Sequence, residues 1–246
     1  MARRSSATSA TRAAVAVATI VLALLAHSAC GVKELDKKQL ALIAKAESSK
    51  LAPDLIETIP RGIFEAKFKS GEIAMGNHFT PEQASSAPSG IDFPRTAGYT
   101  YAIAMLDPDA PSRSDPKFRP ILHWLVVNLD AGDAKAPVDY KKGTELFRYR
   151  GPKPPMGSGP HRYAFLAYKQ YKHIDMPQTL IVPYDKRKNF NITKFAKEHS
   201  LGNPIAINYF LAEDAYVDGV TPMLSWLTII ALALVGLLCR VMLMYY

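Results

Sequence analysis

The chain has 246 residues, 48% hydrophobic and 21% charged, with 30 Lys and Arg against 22 Asp and Glu for a formal net charge of +8. Arg3, Arg4, Arg12 and Arg240 lie in the two ends, where no acid falls, so the excess over the middle is small. With no basic stripe or aromatic-basic motif, nucleic acid is excluded as a partner, and Lys37-Lys38, Lys141-Lys142 and Lys186-Arg187-Lys188 read as solvated faces.

In chain order, residues 1–30 join an acid-free, Arg-bearing start to the apolar run Ala13 to Ala26 and the small residues Ser28, Ala29 and Cys30. That is the layout of a secretory signal peptide, since the rival, a mitochondrial presequence, is amphipathic where this run is unbroken. Residues 31–222 form one domain. A helical period runs from Lys33 to Glu47, and Ile63 to Lys69 alternates like a strand. The Ser- and Pro-rich stretch Pro81 to Gly90 is a loop. Tyr99 to Leu106 and Ile121 to Leu129 are continuous apolar runs bounded by Asp, Pro and Gly, as strands buried on both faces are. Gly151 to Pro160 is a second loop, and strands follow at Tyr163 to Tyr168 and Thr179 to Val182. A helix over Ile192 to His199 precedes a last strand, Ile205 to Phe210. Asn191-Ile192-Thr193 is a glycosylation sequon, and Asn191 is equally suited to cap that helix. Residues 223–246 are apolar except for Ser225, Thr228 and Arg240, with Trp226 near one edge and Tyr245 and Tyr246 at the other, so they predict a single-pass transmembrane helix. A buried helix and a cleaved lipid-anchor signal near Asp218 and Gly219 are the alternatives. The sum is a mostly β fold, an antiparallel β-sandwich with a few peripheral helices.

The two cysteines, Cys30 and Cys239, lie in the ends, which leaves the domain without disulfides, a thiolate metal site or a cysteine nucleophile. The candidate chemistry sits where strands meet Pro-bound turns. Strand alternation puts His123 on a buried face with Ile121, Leu125 and Val127, opposite Leu122, Trp124 and Val126. It puts His161 with Tyr163, Phe165 and Ala167, and Arg162 on the other side. Asp107 ends a strand, and Pro108 and Pro111 make Asp107 and Asp109 diverge in a tight turn. If Asp107 meets His123 and His161, its carboxylate favours the imidazolium form and makes a small positive pocket for an anion. A two-histidine, one-carboxylate metal site lacks ligand spacing. A Ser158, His161, Asp107 triad has the residue types, but Ser158 lacks the strand-to-helix turn that exposes such a nucleophile.

Asp107-Pro108-Asp109-Ala110-Pro111-Ser112-Arg113, His123 within Leu122-His123-Trp124, and Gly151 to Tyr163 with its Pro154-Pro155 and His161-Arg162-Tyr163 together resemble the phosphatidylethanolamine-binding protein family, the Raf kinase inhibitor protein-like proteins. The resemblance covers Leu51 to Val217. It implies a Greek-key antiparallel β-sandwich whose small anion pocket accepts the phosphate of a phospholipid headgroup. The pocket positions it implies are Asp107, Pro111, His123, Pro154, Pro155, His161 and Tyr163, with Asp109 and Arg162 as a supporting ion pair. Ile121 departs from the Trp that many members carry there, which removes an aromatic wall. The expected function is non-enzymatic: a monomer without cofactor or metal that holds a phosphate-like anion and is anchored by its C-terminal helix, the domain facing the lumen or cell exterior. The alternatives are a lipid anchor at the cell surface and, for activity, inhibition of a protease or kinase.

Overall fold

The computed structural model describes residues 37–130, 132–133, 136–176 and 183–214. The expected signal peptide, the transmembrane helix and the strand Thr179 to Val182 lie outside them. Among the described residues no helix is long and apolar enough to cross a membrane. Contacts divide the chain after Leu40, and of the first unit only Lys37 to Leu40 are described, as the start of a helix.

The strands are β1 (Gly62–Ile63), β2 (Glu65–Phe68), β3 (Gly71–Glu72), β4 (Asn77–His78), β5 (Gly90–Asp92), β6 (Thr100–Asp107), β7 (Ile121–Asp130), β8 (Thr144–Phe147), β9 (His161–Gln170) and β10 (Ala206–Ala212). The long apolar runs are therefore strands, with β6 shifted one residue along from the expected Tyr99 to Leu106 and β7 one residue longer than Ile121 to Leu129. The stretch Ile63 to Lys69 instead breaks at Phe64: β1 joins the large sheet beside β10, while β2, alternately exposed and buried, joins the small one.

The large sheet runs β1-β10-β9-β6-β7-β8, with β4 also on β10, and the small sheet runs β3-β2-β5. Within the large sheet β6, β7 and β8 are sequential antiparallel neighbours, and β9 returns to lie against β6. That spatial order, fourth strand beside first, is a Greek key. Between the sheets lies an aromatic core, in which Phe64 stacks on Phe165 at 5.3 Å and Phe68 meets Phe210 edge-on at 5.9 Å. On the far face, Ala102, Ala104, Leu106, Leu125, Val127 and Leu166 are covered by Leu51, Leu55 and the helix Ile192–Glu198 through Ile192, Phe195 and Ala196. A sheet covered on both faces has no polar side to show. This explains why β6, β7 and β9 read as unbroken apolar runs rather than alternating ones.

The helix Ile192–Glu198 begins where Asn191 Oδ1 accepts the backbone N–H of Lys194 at 2.8 Å. Asn191 is exposed and caps the helix, satisfying one of the N–H groups that a helix start leaves unpaired.

Candidate functional site

Three antiparallel neighbours bring the predicted residues to one end of the large sheet. Asp107 at the end of β6 pairs with Ile121 at the start of β7, and Leu106 pairs with Ala164 near the start of β9. The end of β10 arrives beside them, since Ala212 pairs with His161. The loops Asp107 to Pro120 and Gly151 to Pro160 close over this end. Together they enclose a cavity of about 470 Å³ lined by Asp107, Pro111, His123, Pro154, Pro155, His161 and Tyr163, the seven positions expected from sequence, with Ile121 also in its wall.

Alternation in β9 divides His161 from Arg162, and the turn divides Asp107 from Asp109. His161 Nδ1 meets Asp107 Oδ2 at 2.8 Å, with both side chains buried. On the other side, Asp109 accepts from Arg162 three times: from its backbone N–H at 2.8 Å, from Nε at 2.9 Å and from Nη2 at 2.6 Å. Arg162 also donates to Ser49 O and Asp54 Oδ2, both at 2.7 Å. The supporting ion pair expected here is present, and it is fully buried. Burial alone would lower the guanidinium's pKa, but the bonds and charges of Asp109 and Asp54 outweigh it and hold the pKa above its ordinary value.

His123 needs a correction. Met105 faces Trp124 and Leu106 faces Leu122, so His123 is the extra residue of a β-bulge. Leu122 therefore packs with Leu125 and Val127 on one face, and Trp124 with Val126 on the other, contrary to simple alternation. A bulge re-aims the side chain it carries. Here the His123 ring sits edge-on to Tyr163 at 5.1 Å, while its Nδ1 bonds Arg150 O at 2.8 Å. A carbonyl only accepts, so Nδ1 carries the proton and Nε2 is the unprotonated nitrogen of the neutral ring.

Asp107 does favour a charged His123, as expected, but burial outweighs it. Burial is the largest influence and lowers the His123 pKa; the attraction of Asp107 and the bond to Arg150 O only partly offset it, and Arg187 and Arg150 push it down further. Positive charge reaches the cavity instead from Arg150, Lys153 and Lys188 in its wall. Arg150 lies over the Tyr184 ring at 4.7 Å, and Lys188 over Phe118 at 4.6 Å while bonded to Asp185. Tyr163 donates to Asp107 and accepts the backbone N–H of Lys153. Burial, then Asp107, raises its pKa well above the ordinary range, so it remains a phenol.

Arg187 is the residue that sequence reasoning misplaced. Read as part of a solvated basic run, it is 5% exposed and donates to the carbonyls of Leu122, His123 and Arg148 at 3.1, 3.1 and 2.9 Å. It thereby ties the bulge to the loop that ends at Arg150. Its Nε has no partner among the described residues. A basic triplet carries no signal that separates such a residue from its solvated neighbours. Arg150, Phe118 and Tyr184 escaped for a related reason, since each reaches the cavity from a loop with no periodic pattern.

Ser158 does come to His161, with Oγ 2.9 Å from Nε2. The hydroxyl is also 2.6 Å from Pro155 O, to which it donates. A hydroxyl has one proton, and that of Ser158 goes to Pro155 O, whereas a serine nucleophile donates it to the ring. Among the described residues no group of three His, Cys, Asp or Glu is placed to hold a metal ion.

The mostly β domain thus carries, at one end of its large sheet, a small cavity walled by histidines, a tyrosine and prolines. Its sequence matches the profile of the phosphatidylethanolamine-binding protein family over residues 64–210, and the chain belongs to that family. It is 42% identical over 129 residues to protein MOTHER of FT and TFL1 homolog 2 of Oryza sativa subsp. japonica, covering 50% of this chain and 69% of that one. The structure is similar to a carboxypeptidase Y inhibitor solved in complex with its cognate proteinase, with a TM-score of 0.61 and 30% identity over 72% of this chain and 96% of the inhibitor. It also shares the fold of the phosphatidylethanolamine-binding protein from Plasmodium vivax, with a TM-score of 0.57 and 24% identity over 70% and 97% of the two chains.

Proposed function

We propose that the chain is a non-enzymatic, monomeric binding module that takes a phosphate-bearing headgroup, such as that of phosphatidylethanolamine, into the cavity at the end of the large sheet. The observation that carries this reading is the convergence of His123, His161 and Tyr163 on one cavity with Arg150, Lys153 and Lys188 in its wall. Its volume of about 470 Å³ suits a headgroup-sized ligand. The neutral His123 offers one acceptor in the resting state and becomes a second donor once an anion repays the cost of charging it. The apolar segments at residues 1–30 and 223–246 support a secretory, single-pass protein whose domain faces the lumen or cell exterior, with a lipid anchor as the alternative. In that compartment Asn191 is a glycosylation site.

The test is calorimetric titration of the full chain in detergent with glycerophosphoethanolamine and with inorganic phosphate across the His range. Affinity that rises as pH falls below about 6.5 supports the reading, since binding then takes up a proton at His123. Affinity flat from about pH 5 to 8, or no binding at all, overturns it. Protease and glycosidase treatment of sealed microsomes tests the topology: digestion of an unglycosylated domain from the cytosolic side contradicts it.

A second reading, inhibition of a protease, is supported by the similarity to the carboxypeptidase Y inhibitor. A kinase partner requires a cytosolic domain and stands or falls with the topology. Inhibition that survives His161→Ala separates that activity from the cavity; inhibition lost with it ties the two together.

A further inference from the structure

A headgroup in a bilayer reaches a cavity only if the cavity mouth reaches the bilayer. The mouth carries the features such an approach needs. Met156 is 65% and Tyr184 40% exposed, both lining the cavity, and the exposed Pro155 stands beside Met156. Large apolar side chains from two segments, the loop Gly151 to Pro160 and the turn Tyr184–Arg187, left in water together at a cavity mouth suit a contact surface. Beside them are Arg150 and Lys153, both exposed and neither with a carboxylate partner among the described residues. Apolar residues ringed by such cations complement a phosphate-bearing lipid surface, where the side chains enter the headgroup layer and the cations stay among the phosphates.

The covalent path of the chain points the same way. Asp214, just past the end of β10, is itself part of the cavity wall. From Asp214 to Met223, the start of the apolar segment, fully extended backbone spans at most about 30 Å. The opposite end of the large sheet is farther off, because β9 alone covers 10 residues, about 30 Å of strand, before Tyr171. The cavity end is thus the end held near any bilayer that the segment enters.

We propose that the mouth formed by Arg150, Lys153, Pro155, Met156 and Tyr184 docks on the phosphate-bearing headgroup layer of the same membrane that anchors the chain, so that the cavity samples headgroups in cis. The inference rests on the headgroup-binding and anchoring readings above, and it adds the orientation of the domain and the class of surface it meets.

The experiment uses the full chain, with Cys30 and Cys239 replaced by Ser, in vesicles of phosphatidylcholine with or without phosphatidylserine. A fluorophore on Met156→Cys or on Tyr171→Cys reports contact with a lipid bearing a headgroup nitroxide. Docking predicts quenching at 156 several-fold stronger than at 171, in the vesicles with phosphatidylserine. Arg150→Gln combined with Lys153→Gln should lower the docked population by roughly fivefold for each charge removed. The charge-preserving pair Arg150→Lys and Lys153→Arg, which controls for misfolding, should retain it. Equal quenching at the two positions, or quenching at 156 that ignores phosphatidylserine and both substitutions, overturns the proposal. Titration of the same preparation with glycerol phosphate keeps the two readings apart. Anion binding without docking sinks the orientation alone, and docking without anion binding sinks the headgroup reading while the orientation stands.

Discussion

Asp107 with His161 and Asp109 with Arg162 are two acid-base pairs built from the same two strand ends, yet they serve opposite ends. Asp109 and Arg162 face away from the cavity: one carboxylate takes three bonds, and the guanidinium donates further to Ser49 and Asp54. Asp107 and His161 face the cavity: the carboxylate meets the ring and takes the Asp109 N–H, the far ring nitrogen meets only the half-buried Ser158 hydroxyl, and the space beside them is open to a ligand. The buried pair locks the loops against the sheet. The other, whose outermost partner is a neutral hydroxyl, is available for binding. A network closed on buried partners fixes one geometry, whereas polar groups at a cavity wall can exchange a weak partner for something from outside.

The largest effect should come from breaking the locked pair. Arg162→Met strands the Asp109 carboxylate in the interior and should cost about 3–5 kcal/mol in urea unfolding. A loss under about 1 kcal/mol would show that Asp109 is rescued by water or by Arg113, which lies 3.8 Å away. On the open side the contrast should invert. His161→Asn should weaken phosphate binding by roughly tenfold or more, as expected for a lost bond to a charged group, with a smaller loss of stability. Stability loss equal to that of Arg162→Met would erase the distinction between the two pairs.

A pH experiment sharpens the same contrast through His123. Its pKa is lowered in the fold from an ordinary value of 6.5, so its neutral form costs nothing above that pH. As pH falls below about 6.5 the unfolded chain takes up a proton that the folded chain refuses, and stability declines until the folded value is passed. Every tenfold loss of proton affinity on folding corresponds to about 1.4 kcal/mol. His123→Gln should flatten this part of the stability curve, as read by thermal unfolding at stepped pH; an unchanged slope would assign it to another group. The smallest effect belongs to Ser158→Ala, which removes one neutral partner of His161 and should shift anion affinity by only a few-fold, about 0.5–1.5 kcal/mol. A Ser158-dependent esterase activity would contradict the non-enzymatic reading.

Much of this architecture is legible in the chain itself. Period-two alternation alone assigns His161 and Arg162 to opposite faces, and Pro108 and Pro111 already require Asp107 and Asp109 to part. The same rule fails at His123, because a bulge inserts one residue into the count and nothing in Leu122-His123-Trp124 announces it. It fails at Phe64 as well, where one alternating stretch is shared between two sheets. Arg187 was illegible for a different reason: its burial depends on three carbonyls supplied by β7 and by the loop after β8.

By itself the sequence determined the mostly β class, the buried central strands and the absence of cysteines between the ends, because these follow from local periodicity and composition; the seven cavity positions came as a set only from the motifs that resemble the family's. Only the tertiary structure decided that His123 is re-aimed beside Tyr163, that it is held neutral by burial, and that Arg187 is buried behind it. Those outcomes depend on which strands become neighbours and on how much water their side chains lose, and no local pattern encodes either.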